Sequence, residues 1–183
     1  MIFKKLNQKG DSEAFESFRM LIAFILASAI LIIIINMVNN VNEKSIQISN
    51  QKLSEGIISG VKSVGTSARV PFVISDLLLR GQLDRRTVQN LSGLNKDCVS
   101  FVAGPGIVKS DNGEFITIKG NYRKMDVYVY CNQTADNGLN VVNSSYPEVN
   151  TDLTRNGNNP FDICPTFCVF FFNKKPVNDI YNN

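Results

Sequence analysis

Residues 9–38 read KGDSEAFESFRMLIAFILASAILIIIINMV. Across residues 20–38 the only polar side chains are Ser28 and Asn36. At about 1.5 Å per helical residue, this run reaches about the ~30 Å of a bilayer core. A helix in the core of a soluble domain is normally amphipathic, whereas this one is apolar all round, so it reads as a membrane-spanning or filament-core helix. Lys4, Lys5, Lys9 and Arg19 lie before the run, while Glu43 and Lys44 cancel just after it. The positive-inside bias then keeps the N-terminus cytoplasmic and places everything after the run outside the cell.

A removable secretory signal is the competing reading, because Ala27-Ser28-Ala29 imitates a small-residue cleavage site behind a basic start. Cutting there would begin the mature chain with Ile30, Leu31 and the four isoleucines of residues 32–35, a poor start for a soluble protein.

Lys9-Gly10, the patch Ser12-Glu13-Ala14-Phe15-Glu16 and the uninterrupted apolar helix behind them together resemble the precursor of an archaeal type IV pilin-like protein with a class III-type signal peptide. The resemblance covers roughly residues 4–65. It implies a prepilin-type peptidase that removes the leader after a small residue, here Gly10, so that Asp11 becomes the first residue. It further implies assembly machinery and a filament in which the apolar helices pack on copies of themselves. A glutamate near the new N-terminus offsets the amine of a neighbouring subunit, since a carboxylate among apolar helices needs a cation; Glu13 or Glu16 would take that role. The usual glutamate is fifth after the cut, whereas counting from Asp11 places Glu13 third and Glu16 sixth. A plain single-pass anchor is the alternative to processing.

The formal net charge is +3, which the leader lysines Lys4, Lys5 and Lys9 account for, so a form cut after Gly10 is neutral. No basic face argues for nucleic acid. Cys98, Cys131, Cys164 and Cys168 all fall on the expected outer side, and an even number there suggests two disulfides. Three pairings are open; Cys164 and Cys168 are close enough in sequence that at least one is expected to reach back to Cys98 or Cys131. A zinc site is the weaker reading, with no His and no second close Cys pair. Asn90-Leu91-Ser92, Asn132-Gln133-Thr134 and Asn143-Ser144-Ser145 are sequons, which makes Asn90, Asn132 and Asn143 possible glycosylation sites.

Beyond the run, Val41, Ile46, Leu53, Ile57, Val61 and Val64 recur at largely helical spacing among Asn, Gln, Glu, Lys and Ser. The periodicity predicts one long helix over residues 11–64, apolar over 20–38 and amphipathic thereafter. Gly56 and Gly60 either permit close helix approach or mark a bend. Residues 65–97 read as short helices and loops, with residues 72–79 either helix or strand and residues 84–94 a short helix. Asp84-Arg85-Arg86 reads as a solvated helix face.

From Cys98 the pattern turns to β. Short strands flank Gly104-Pro105-Gly106, Asp111-Asn112-Gly113 predicts a hairpin turn into residues 114–119, and residues 125–131 alternate Met125, Val127, Val129 and Cys131 against Asp126, Tyr128 and Tyr130. Residues 139–142 read as a strand, residues 143–160 as a long exposed loop and residues 168–172 as a buried strand. The fold class is therefore α+β: a leader over residues 1–10, a long helix, and a small antiparallel β-sheet head with disulfides over residues 98–183.

The chain has no His and no Trp, and it lacks a Walker loop, a dinucleotide fingerprint and a calcium loop. The reading is non-enzymatic and calls for no cofactor. It is a structural pilin-like subunit, in a surface filament or in the membrane, with an outer head for contact or adhesion. The alternative is a single-pass anchored extracellular binding module, as a subunit of a larger membrane complex or alone.

Overall fold

The computed structural model describes residues 8–64, 71–120, 123–133, 138–154, 157 and 159–177. Helix α1, Gln8–Ser63, runs for 56 residues without a break. The chain divides between Lys44 and Ser45 into two units, each with its own logic.

In the first unit, the side chains of α1 over residues 15–41 are exposed throughout. Because α1 begins at Gln8, the residues Gln8, Lys9 and Gly10 are helical, and the end expected for the leader is no boundary in the backbone.

In the second unit, the remainder of α1 has one buried face. Leu53 and Ile57 are buried, with Val61 and Val64 packed partly against the same core, as 3.6-residue periodicity requires. Following α1 come β1 (Phe72–Leu79), β2 (Gln82–Asp84), α2 (Arg85–Ser92), a 3-10 turn (Lys96–Cys98), β3 (Val99–Ala103), β4 (Ile107–Lys109), β5 (Phe115–Ile118) and β6 (Arg123–Gln133). Then come α3 (Gly138–Ser145), α4 (Pro147–Thr154), α5 (Pro160–Ile163) and β7 (Thr166–Phe172).

The strands form a four-stranded sheet, β1-β6-β7-β3, and a three-stranded sheet, β2-β5-β4. The hairpin expected around Asp111-Asn112-Gly113 is the antiparallel β4–β5 pair.

Around β7 and β3 the large sheet is buried on both faces, whereas β1 leaves Val73 and Ser75 exposed. Alternation along β7 sends Cys168, Phe170 and Phe172 to the side shared with α1 and the small sheet, and Phe167, Val169 and Phe171 to the side covered by α3 and α4. Met125, Val127, Val129 and Cys131 of β6 share one face, as alternation predicts. Tyr130 lies buried on the other, and Tyr128 packs against the same cluster, so neither presents an open aromatic face.

Four expectations need correction. Residues 65–97 are not short helices and loops alone: of the two readings open for residues 72–79 the strand is the one formed, pairing antiparallel with β6. The sheet is not wholly antiparallel, since β3 pairs parallel with β7. The helical excursion of α3 to α5 brings β7 back beside β6, and its apolar run suits a strand buried on both faces. Residues 138–154 are two helices, not a strand followed by a loop: Leu139, Val142, Tyr146, Val149 and Leu153 sit on a buried face. Lastly, Gly56 and Gly60 mark neither a bend nor a helix pair. A Cβ at Gly56 would strike the Ile74 side chain and one at Gly60 the Phe72 ring, so the glycines let β1 lie directly on α1.

Candidate functional site

The feature with the clearest chemistry is the apolar half of α1. Leucine, isoleucine and alanine hold a helix well, and every backbone hydrogen bond in its interior closes within the helix, which is the condition for lying in hydrocarbon. An 18-residue window in this helix has a mean hydropathy of 2.9 and none of it is buried. The helix is long and apolar enough to cross a membrane. Ser28 donates its hydroxyl to the carbonyl of Ile25 at 2.8 Å, which removes its demand for an outside partner. At the start of the run, the Arg19 guanidinium lies 5.4 Å from the centre of the Phe15 ring, a cation–π contact at the polar end. Glu16 is exposed on the helix surface. The Gly10-Asp11 bond lies inside helical backbone, and the side chains of Asp11 and Glu13 fall outside the described ones.

The cysteines pair Cys98–Cys164 and Cys131–Cys168, so both late cysteines reach back. Cys131 and Cys168 face each other across β6 and β7. Cys98 and Cys164 tie the 3-10 turn ahead of β3 to the segment entering β7. All four are buried.

A polar network that sequence reasoning missed lies inside the head. Asp152 of α4 is buried, and its Oδ2 accepts from Ser100 Oγ at 2.6 Å and from Lys109 Nζ at 2.6 Å. Arg85 Nη2 lies 3.4 Å from the same oxygen, and Arg85 Nη1 donates to the Asp152 carbonyl at 3.2 Å. Arg85 is 1% exposed, which overturns its reading as part of a solvated helix face. β2 runs straight into α2 and turns this first helical residue inward; Arg86 stays exposed. The β4–β5 turn closes over the carboxylate at Gly113, whose φ is +63° and where a Cβ would strike Asp152. One carboxylate spent on two cations and a hydroxyl ties α4 to both sheets.

A second group lies at one end of the large sheet. Asp76 sits at the irregularity in β1 with φ +60°, and Asn173 follows β7 with φ +50°. Both residue types tolerate the left-handed region. The Asp76 N–H donates to Asp126 Oδ1 at 3.3 Å, and Asp126 and Asn173 exchange two further hydrogen bonds. The exposed Lys124–Asp76 pair, 2.6 Å apart, raises the lysine pKa above its ordinary value, first through that hydrogen bond and then through the charge. Next to it, a shallow cleft of about 300 Å³ is lined by Ser45, Ser49, Lys52, Asp76 and Lys124, among others. Ser49 Oγ accepts from the N–H of Leu78 at 2.8 Å, which satisfies a donor on the edge strand β1. On α2, Asp84 caps the N-terminus by accepting from the Thr87 N–H at 2.6 Å, and its bonds from Thr87 hold its carboxyl below the usual value.

Of the sequons, Asn90 is exposed on α2, Asn132 is buried in β6, and Asn143 is half-buried in α3. Among the described residues, no cluster of three or more His, Cys, Asp or Glu side chains is placed to hold a metal ion.

Fold and geometry thus define a class: a two-disulfide α+β domain behind a helix fit to cross a membrane. No protein-family model, no curated protein and no solved structure matches the chain.

Proposed function

We propose that the chain is a structural, pilin-like subunit of the cell surface. Its N-terminus is cytoplasmic, its apolar helix packs on copies of itself or in lipid, and its head is presented outside for contact or adhesion. The observation that carries this reading is the fully exposed apolar window of α1 on the same unbroken helix that enters the core of the head. Two disulfides agree with an oxidising exterior. At ~25 cal/mol per Å², several hundred Å² of apolar helix surface buried per neighbour supplies on the order of 10 kcal/mol before association costs. The self-association, the peptidase and the assembly machinery all belong to this proposal.

The test is the N-terminal residue and intact mass of the protein from membranes and from sheared surface material of its native host. A chain starting at or near Asp11 in sheared filaments is the expected result, and Glu16→Gln should then lower filament yield without unfolding the head. A chain retaining residues 1–10 and found only in membranes would replace the filament subunit with a plain anchored domain.

A further inference from the structure

The three sequons are equivalent as triplets, but the fold treats them very differently. Asn132 lies near the end of β6, past the stretch paired with β1 and opposite Phe167 of β7, and is 8% exposed. Its Nδ2 donates to the Tyr130 hydroxyl at 2.9 Å, and its Oδ1 accepts from the Gln133 N–H at 2.8 Å. Both ends of that amide are in use on a strand paired with β7, and the buried side chain leaves no room for a sugar on Nδ2 without being drawn out of the fold. Asn143 is half-buried on α3 with its Oδ1 enclosed, on a helix that covers the Phe171 face of the sheet.

Asn90 differs on each count. It is exposed on the solvent side of α2, whose inward face is made by Arg85 and Val88. The helix is two turns long and ends at Gly93 with φ +75°. Residues 93–95 then continue without regular structure. The Ser92 hydroxyl donates to the Val88 carbonyl at 2.7 Å and accepts from the Leu94 N–H at 3.1 Å. Presenting Asn90-Leu91-Ser92 to an enzyme in extended form therefore means opening one terminal helical turn, among the least costly local openings a protein makes. Presenting Asn132 means freeing the end of β6 from β7 and drawing a buried side chain out of the core.

We infer that Asn90 is the chain's N-glycan acceptor and that Asn132 and Asn143 stay unmodified once the head has folded. The inference rests on the outer placement of the head. The co-substrate class is a sugar carried on a polyprenyl phosphate or diphosphate. Nδ2 of Asn90 forms a bond to the anomeric carbon, the carbon–oxygen bond to phosphate breaks, the phosphate leaves with the electron pair, and the amide proton passes to a base of the transferase. No oxidation or reduction is involved.

The experiment is site mapping by peptide mass spectrometry on wild-type protein from its native host, with free thiols counted in the same sample. The expected result is a sugar increment on the Asn90 peptide alone. Asn90→Gln should remove the increment from the intact mass, and Ser92→Thr, which preserves the sequon, should retain it. Closed disulfides with an unmodified Asn90 would overturn the inference and leave the outer head standing. Free thiols with no sugar anywhere would overturn the outer placement and the inference together. A glycan on Asn132 or Asn143 in the folded protein would also overturn it.

Discussion

Between residues 15 and 41 every large apolar side chain of α1 is exposed, whereas Leu53 and Ile57, a few turns further along the same helix, are 4% and 0% exposed. Both stretches are regular helix, and neither is interrupted by proline. They differ in what answers their side chains. Around Leu53 and Ile57 the chain supplies its own partners, Phe72 and Ile74 of β1 and the Cys168, Phe170 and Phe172 face of β7. Along the first stretch none of the described residues covers the side chains, and the proposed lipid or copies of the chain would take that place. Changes in the two halves should therefore have separable effects.

The largest effect is expected in the head. The Cys98–Cys164 bridge closes a sequence separation of 66 residues, and replacing both cysteines with alanine should cost about 4 kcal/mol by loop-closure entropy. The denaturant midpoint of the head should fall, while the protein stays in the membrane fraction. Next, Ile57→Ala and Asp152→Asn should each cost about 3 kcal/mol, the first by leaving a cavity and the second by stranding Arg85 and Lys109. Urea unfolding of the oxidised protein in detergent reads both, and a loss below about 1 kcal/mol would mean that the interior is not packed as described.

The reciprocal test lies in the other half. Ile30→Lys places a charge mid-span at an insertion cost of about 3 kcal/mol, which should shift the protein out of the membrane fraction and leave head stability unchanged. Were the head to unfold as well, the two halves would not be separable. Gly60→Ala should be milder: helix propensity gains about 1 kcal/mol, displacement of Phe72 costs about 2, and the net loss of about 1 kcal/mol appears as a small drop in melting temperature.

Of similar size is Asp84→Ala, which removes the cap of α2 at about 1 kcal/mol. Because the folded Asp84 carboxyl titrates below its ordinary value, the stability it supplies is fully present above that ordinary value. That stability is lost as pH falls through the lower folded value. A pH series should therefore show the gap between wild type and variant closing only in that acid range.

What could be read from the sequence tracks how local each signal is. The apolar run, the amphipathic continuation of α1, the β4–β5 turn and the alternation of β6 depend on neighbours a few residues apart, and all are visible in sequence. Residues 138–154 hold two competing signals: Leu139, Val142, Tyr146, Val149 and Leu153 repeat at three and four residues, as a helix requires, while the Asn and Ser between them read as a loop. The Arg85–Asp152 pair had no such signal, because its partners are 67 residues apart and meet only once α4 docks on β3. The glycine pair is visible in sequence, but the element that rests on it is not, since the placement of β1 is a tertiary fact. The parallel β3–β7 pair was hinted at only by the unbroken apolar run from Cys168 to Phe172.

The most direct test of the division within α1 is to treat intact cells of the native host with a broad-specificity protease and follow both ends of the chain. The account predicts that the head is removed or released while a fragment containing residues 20–38 stays in the membrane. A head that resists digestion until the membrane is permeabilised, and is then degraded, would place it on the inner side and contradict the account.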